Sequence, residues 1–184
     1  MEKRYRMTMT TETKVEAIDP LSKTIQTQDK TYQYDKLVIA TGALPRKLNQ
    51  HWETLDGVQH INHLDDYQSF RERLQPRQSV AIVGSGLVGI EYANDLLLTD
   101  HSVEMFSLLP YPLYGLVPET IGNALLDILK QQSMKWIQTD GIKTVAKSDS
   151  INISTEETIT TKHDQVLLAV GFSPNLTLAK TARC

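Results

Sequence analysis

The sequence predicts an α/β fold built on a parallel sheet with crossover helices, and three stretches carry that prediction. In 79–98 the apolar run Ser79-Val80-Ala81-Ile82-Val83 passes through Gly84-Ser85-Gly86-Leu87-Val88-Gly89 into the helical pattern of 90–98. In 164–171 the run Val166-Leu167-Leu168-Ala169-Val170 is closed by Gly171. In 34–42 the run Leu37-Val38-Ile39-Ala40 is followed by Thr41-Gly42. Short unbroken apolar runs bounded by turn residues suit strands buried on both faces. Strands alternating with helices imply a parallel sheet.

The remaining elements fall in order around these. Residues 1–34 alternate apolar and polar at Val15-Glu16-Ala17 and Thr24-Ile25-Gln26, with breaks at Asp19-Pro20 and Asp29-Lys30. That is the pattern of a small antiparallel meander with one wet face. Residues 43–63 read as connection. A helix is expected from Asp65, with Tyr67, Phe70 and Leu74 on one face and Pro76 beyond its end. The pair Asp65-Asp66 reads as a helix start, where carboxylates meet the positive end of the helix dipole. Residues 102–106 form a second strand. Pro118 suits a first helical position, and Ile121, Leu125, Ile128 and Leu129 mark the buried face that follows. Trp136-Ile137, Lys143-Thr144-Val145, Ile151-Asn152-Ile153 and Thr158-Ile159-Thr160 read as short strands with polar turns between them.

Composition narrows the function classes. The 184 residues carry 19 Lys and Arg against 22 Asp and Glu, a net charge of −3 without a basic block, so no nucleic-acid partner is expected. The longest apolar run, 166–172, is far short of the roughly 20 residues that cross a bilayer, and the charged N-terminus leads into no apolar core, so neither a membrane span nor a signal peptide is expected. A soluble, cytoplasmic protein is anticipated. Cys184 is the single cysteine. It leaves no internal disulfide, no Cys-x-x-Cys pair and no cysteine-based zinc site, and is read as a free terminal thiol. His51, His60 and His63 lack acids or cysteines at ligand spacing, so no metal site is assigned. Trp136 and Phe106 are read as packing residues. No residue is assigned a catalytic role.

The chemistry concentrates in Gly84-Ser85-Gly86-Leu87-Val88-Gly89. Between a strand and a helix, this G-x-G-x-x-G spacing has a mechanism: Gly84 makes the tight turn, Gly86 lets the backbone approach a pyrophosphate, and Gly89 lets the helix pack on the strand. The amides and dipole at the helix N-terminus then favour the phosphates, with Ser85, Leu87 and Val88 completing the turn. An acid for the ribose 2′-hydroxyl is expected after the second strand, but Ser107 stands there and Glu104 lies three residues too early. With neither acid nor arginine at Ser107, the choice between NAD(H) and NADP(H) stays open and only a slight preference is expected.

Three landmarks in order, 34–42 with its Ala40-Thr41-Gly42 ending, 84–91, and Leu168-Ala169-Val170-Gly171-Phe172-Ser173-Pro174-Asn175, resemble the flavoproteins of the pyridine nucleotide–disulfide oxidoreductase-like family. The segments Ile90-Glu91-Tyr92-Ala93-Asn94-Asp95-Leu96 and Leu176-Thr177-Leu178-Ala179 are most similar to its NAD(P)H–rubredoxin reductases. The resemblance implies an NAD(P)H-binding Rossmann domain over 45–164, with partial FAD-binding-domain segments at 1–44 and 165–184. It implies FAD near Thr41-Gly42, Glu91 beside the nicotinamide, and Gly171 and Asn175 at the far wall of that pocket. The family's separate FAD glycine loop and its later Gly-Asp motif are not found in these 184 residues, so the FAD site is expected to be incomplete.

The resemblance implies hydride transfer from NAD(P)H to FAD, then electron transfer to a small iron–sulfur carrier such as rubredoxin, with the chain inactive alone. A nucleotide-binding module without turnover, or an NADH-oxidase or nitrite-reductase-like flavoenzyme, is the alternative. Strand edges in 1–44 and 165–184 lead to an expectation of self-association.

Overall fold

A computed structural model describes residues 7–48 and 50–182. Cys184 lies outside the described residues. The chain forms two compact units: a smaller one of the described residues up to Leu44 and from Pro174 onward, and a larger one, Pro45–Ser173.

The smaller unit begins with an antiparallel meander in the order β1 (Val15–Asp19), β2 (Thr24–Thr27) and β3 (Thr31–Gln33). Its first turn is set by Asp19, whose carboxylate accepts the N–H groups of Leu21 (2.9 Å) and Ser22 (3.2 Å), an Asp-nucleated turn. The buried strand expected over 34–42 is not formed. Residues 35–42 have no strand assignment and Val38 is 86% exposed. Apolar character makes a strand only where neighbours receive its backbone N–H and C=O groups, and among the described residues this run has no ladder partner. The chain leaves the unit through β4 (Ala43–Pro45).

In the larger unit the next elements are α1 (Gln50–Glu53), β5 (Val58–Gln59), α2 (Leu64–Arg73), β6 (Ser79–Val83), α3 (Leu87–Leu98), β7 (Ser102–Ser107), α4 (Glu119–Gln131) and β8 (Lys135–Gln138). A meander of β9 (Ile142–Lys147), β10 (Ile151–Thr155) and β11 (Thr160–His163) follows. The chain then enters β12 (Gln165–Leu168) and β13 (Phe172–Pro174), which pairs with β4. The last element, α5 (Thr177–Thr181), belongs to the smaller unit.

The five-stranded sheet has the order β5-β12-β6-β7-β8, and every pair in it is parallel. This is the mixed α/β, Rossmann-type architecture the sequence predicts. Successive residues of β6 serve opposite faces, as the pleat requires. Val80 and Ile82 pack with Phe70, Ile90, Leu96 and Leu129 of the helical layer, whereas Ala81 and Val83 pack with Trp52, Val145, Ile151 and Ile153 on the meander side. Cover on both faces explains why β6 and β12 read as unbroken apolar runs rather than alternating ones.

Four boundaries differ from expectation. Residues 165–168 do not return to an outlying segment: β12 pairs with β5 on one side and β6 on the other, so the larger unit runs to Ser173 rather than 164. β8, read as one of a row of short strands, is the edge of the parallel sheet. α3 begins at Leu87, so Gly89 lies inside its first turn instead of before it. α2 begins at Leu64, with the Asp66 carboxylate accepting N–H groups of Asn62 and His63, both at 2.9 Å.

Candidate functional site

The glycine turn joins β6 to α3 at the carboxyl end of the sheet, and its glycines have separate reasons. Gly84 sits at φ +110, and a Cβ there would stand 2.4 Å from the carbonyl oxygen of Ala169. Both the conformation and the space exclude a side chain. A Cβ on Gly89 would lie 2.1 Å from the Gly84 carbonyl oxygen, so its absence lets α3 settle onto the strand end. Gly86 has an ordinary φ of −76, and a Cβ there would meet nothing within 4 Å. The protein itself does not require glycine at 86; what a side chain would fill there is open space.

That open space belongs to a cavity of about 680 Å³, in the range of small-molecule and cofactor sites. The ends of β6, β7, β8 and β12 frame it. Of the expected residues, Gly84, Ser85, Gly86, Leu87, Val88, Ser107 and Gly171 line it. Gly89 supports it from behind. α3 carries no side-chain cap, and its first intrahelical bond is Ile90 N–H to Gly86 C=O at 3.0 Å. The amides of its first turn therefore have no partner within the helix and, with the positive end of the dipole, would favour an anion.

Ser107, at the strand end where an acid would meet the ribose, has its hydroxyl engaged within the protein. Its hydroxyl donates to the Leu109 carbonyl (3.0 Å) and accepts the Leu109 N–H (3.0 Å). Ser85 Oγ, 2.8 Å away, is then the donor between the two hydroxyls. Both serines are buried, so their pairing ties the glycine turn to the end of β7.

The remaining expected residues are elsewhere. Thr41, Gly42 and Asn175 form a corner of the smaller unit. Thr41 Oγ1 donates to the Asn175 carbonyl at 2.6 Å, and the Asn175 N–H donates to the Gly42 carbonyl at 2.9 Å. Gly42 has φ +71 and open space at its Cβ position. Glu91 is exposed on α3, in a shallow groove with Asn94, Asp95 and Ile128 rather than in the cavity lining.

Sequence reasoning missed Arg46 and the loop Thr139-Asp140-Gly141, all of which line the cavity. The signal for the loop was the polar turn after Trp136-Ile137, which gains meaning once that segment is a third parallel strand whose end faces the site. The loop is clamped by Glu157 in the β10–β11 turn. The Asp140 N–H donates to Glu157 Oε1 at 2.7 Å and Thr139 Oγ1 to Oε2 at 2.6 Å. These two donors, Thr139 first, pull the Glu157 carboxyl down to about 2.

The model of the pyridine nucleotide-disulphide oxidoreductase family matches residues 2–184. Among curated relatives, the chain is 34% identical to the rubredoxin-NAD(+) reductase of Acinetobacter baylyi over 193 residues, covering 99% of this chain and 49% of that protein. It is 28% identical to the nitric oxide reductase FlRd-NAD(+) reductase of Aeromonas hydrophila, covering 90% of this chain and 42% of that one. The chain thus spans about half the length of these relatives. Its fold is similar to that of an NAD-dependent persulfide reductase from A. fulgidus, at a TM-score of 0.90 and 22% identity over 99% of this chain and 35% of that one. A ferredoxin reductase from Rhodopseudomonas palustris gives 0.85 and 23% over 93% and 43%. Among the described residues no helix is long and apolar enough to cross a membrane. The chain belongs to the pyridine nucleotide-disulphide oxidoreductase family.

Proposed function

We propose that this chain is the NAD(P)H-binding portion of a flavoprotein reductase, in which hydride from NAD(P)H reaches FAD and electrons pass on to a small iron–sulfur carrier such as rubredoxin. The observation that carries the reading is Gly86: a glycine with no conformational need, at the mouth of an uncapped helix, with open space where its side chain would be. The names of the relatives support the electron-carrier end of the reading.

The residues present fit a nicotinamide dinucleotide. The amides of 86–88 would hold the pyrophosphate, and the β12 end with Gly171 would face the nicotinamide, which supplies the hydride when bound. Ser85 and Ser107 lock the turn so that the amides are set before the phosphates arrive. The described residues do not fit FAD as a whole. The Thr41-Gly42-Asn175 corner includes no glycine turn opening a helix, so no flavin step is derived from it. The second reading is a nucleotide-binding module without turnover.

The test is a titration of NADH followed by tryptophan fluorescence, Trp52 and Trp136 both lying in the larger unit. Gly86→Val should weaken binding at least tenfold, about 1.4 kcal/mol, with the unfolding midpoint nearly unchanged. Equal affinity in the two proteins removes the site. Visible absorbance of the purified polypeptide separates the two readings: a flavin band near one per chain excludes the module reading.

A further inference from the structure

The cavity of the larger unit is charged at its two ends and uncharged between them. Among the described residues lining it, Arg46 and Asp140 are the charged ones. The Arg46 N–H donates to the Gly171 carbonyl at 3.0 Å, just beyond β12, whereas Asp140 follows β8. In the sheet order β12-β6-β7-β8 the two ends are three strand spacings apart, about 14 Å. The glycine turn after β6 lies between them.

A pyrophosphate seated on that turn sends its adenosine toward the second strand of the unit, where an acid usually meets the ribose. Here that strand ends in Ser107, whose hydroxyl is buried and committed to Leu109 and Ser85. The next strand end outward is that of β8. Thr139 donates its N–H to the Ser107 carbonyl at 3.0 Å, so the two strand ends are joined and Asp140 stands immediately beyond.

The geometry points to Asp140, held in place by Glu157, as the specificity-determining residue at the adenosine end of the cavity: its carboxylate accepts from the ribose hydroxyls and repels a 2′-phosphate, so that the site takes NADH in preference to NADPH. This inference rests on the nucleotide-binding reading above and adds the choice that Ser107 alone leaves open. Asp140 is exposed, yet its backbone is not free. The Glu157 carboxylate grips residues 139 and 140, and the Gly141 carbonyl accepts the Glu156 N–H at 3.1 Å. Glu157 also adds a second negative charge beside the first, ionised throughout the neutral range. The cation of the lining, Arg46, belongs to the opposite end, where it is too far to neutralise a 2′-phosphate. Glu157 is a positioning residue here, and Asp140 the one that meets the ligand.

The experiment titrates NADH and NADPH separately into the wild-type chain, Asp140→Asn and Glu157→Gln, at low and high salt. The wild type should favour NADH by about tenfold at low salt, as expected of like charges a few ångströms apart near a surface. The preference should narrow at high salt through screening. Asp140→Asn should lose most of the preference by binding NADPH more tightly, with NADH changed no more than about threefold, near the energy of one hydrogen bond. Glu157→Gln should shift the ratio the same way but less. Thermal unfolding of Asp140→Asn should match wild type, so the changed ratio cannot come from lost folding. Equal wild-type affinity for the two nucleotides, or a preference that persists in Asp140→Asn, overturns the assignment while leaving the glycine-turn site standing. Binding of neither nucleotide overturns both.

Discussion

The runs 37–40 and 80–83 are nearly interchangeable in sequence, and the molecule treats them oppositely. Each is apolar and each is followed by a left-handed glycine, Gly42 at φ +71 and Gly84 at φ +110. Val80, Ala81 and Ile82 are fully buried in a strand with parallel neighbours on both sides, whereas Val38 is almost wholly exposed in a segment without a ladder. The glycines follow suit: a Cβ on Gly84 would strike the Ala169 carbonyl, and one on Gly42 would touch nothing. Hydrophobicity supplies the incentive to be buried, but a strand exists only where other strands complete its hydrogen bonds.

The largest effect that tests this contrast is at the two glycines. Gly84→Ala combines left-handed strain with a backbone collision and should cost about 3 kcal/mol or more. Gly42→Ala carries the strain alone, about 1 kcal/mol. Urea unfolding followed by tryptophan fluorescence for the first, and by far-ultraviolet dichroism for both, gives the comparison. Similar losses at the two sites would show that the Ala169 contact is not rigid.

The strands themselves come next. Ile82→Ala removes a fully buried side chain between α2, α3 and β12 and should destabilise the larger unit by about 3 kcal/mol. Val38→Ala removes a side chain already in water and should change stability by less than about 0.5 kcal/mol. A large loss at Val38 would mean that this run is covered in solution.

How much of the molecule was legible follows from the same logic. The β6–turn–α3 unit was readable because strand, turn and helix are local, and each glycine answers to a neighbour close in sequence or on the next strand. The place of β12 was not, since its pairing with β5 joins residues more than a hundred positions apart. Ser107 was found by position, but its commitment to Leu109 depends on a backward bend of the chain that no motif marks. Asp140 and Glu157 were invisible because the clamp exists only once the meander folds over the edge of the sheet.

Acid should separate the two units. His163 is buried beneath β7, its Nε2 3.4 Å from Glu104 and 2.8 Å from Thr161 Oγ1. Burial pushes the imidazole below its ordinary value of 6.5; Glu104 opposes this and Lys135 adds to it. The folded chain then binds fewer protons at this site than the unfolded chain, so stability is full above 6.5 and falls as the pH drops through and below that value. In the smaller unit, hydrogen bonds from Ser22 and then Leu21 lower Asp19 from 3.8, so its contribution persists above that value and is lost only at lower pH. Between pH 7.5 and 5.5 the tryptophan-reported unfolding temperature should therefore fall, and His163→Gln should flatten the slope. An unchanged slope in that variant would place the acid sensitivity elsewhere.

The smallest effect is expected at Glu91, and it is informative because the family resemblance and the geometry of this chain pull in different directions there. The resemblance sets this acid beside the nicotinamide. In the larger unit it stands on the outward side of α3, exposed, sharing a groove with Asn94 and Asp95 and absent from the cavity wall. It follows the first turn of α3, where a carboxylate gains at most a few tenths of a kcal/mol from the dipole. Glu91→Ala should therefore leave the unfolding midpoint almost unchanged and alter NADH affinity of the 184-residue polypeptide by less than about twofold, under 0.5 kcal/mol. Gly86→Val, five residues earlier and in the cavity lining, should weaken the same titration at least tenfold. A loss at Glu91 comparable with that at Gly86 would show that the bound nicotinamide reaches around the end of α3, and that the carboxyl edge of the sheet does not by itself define the site.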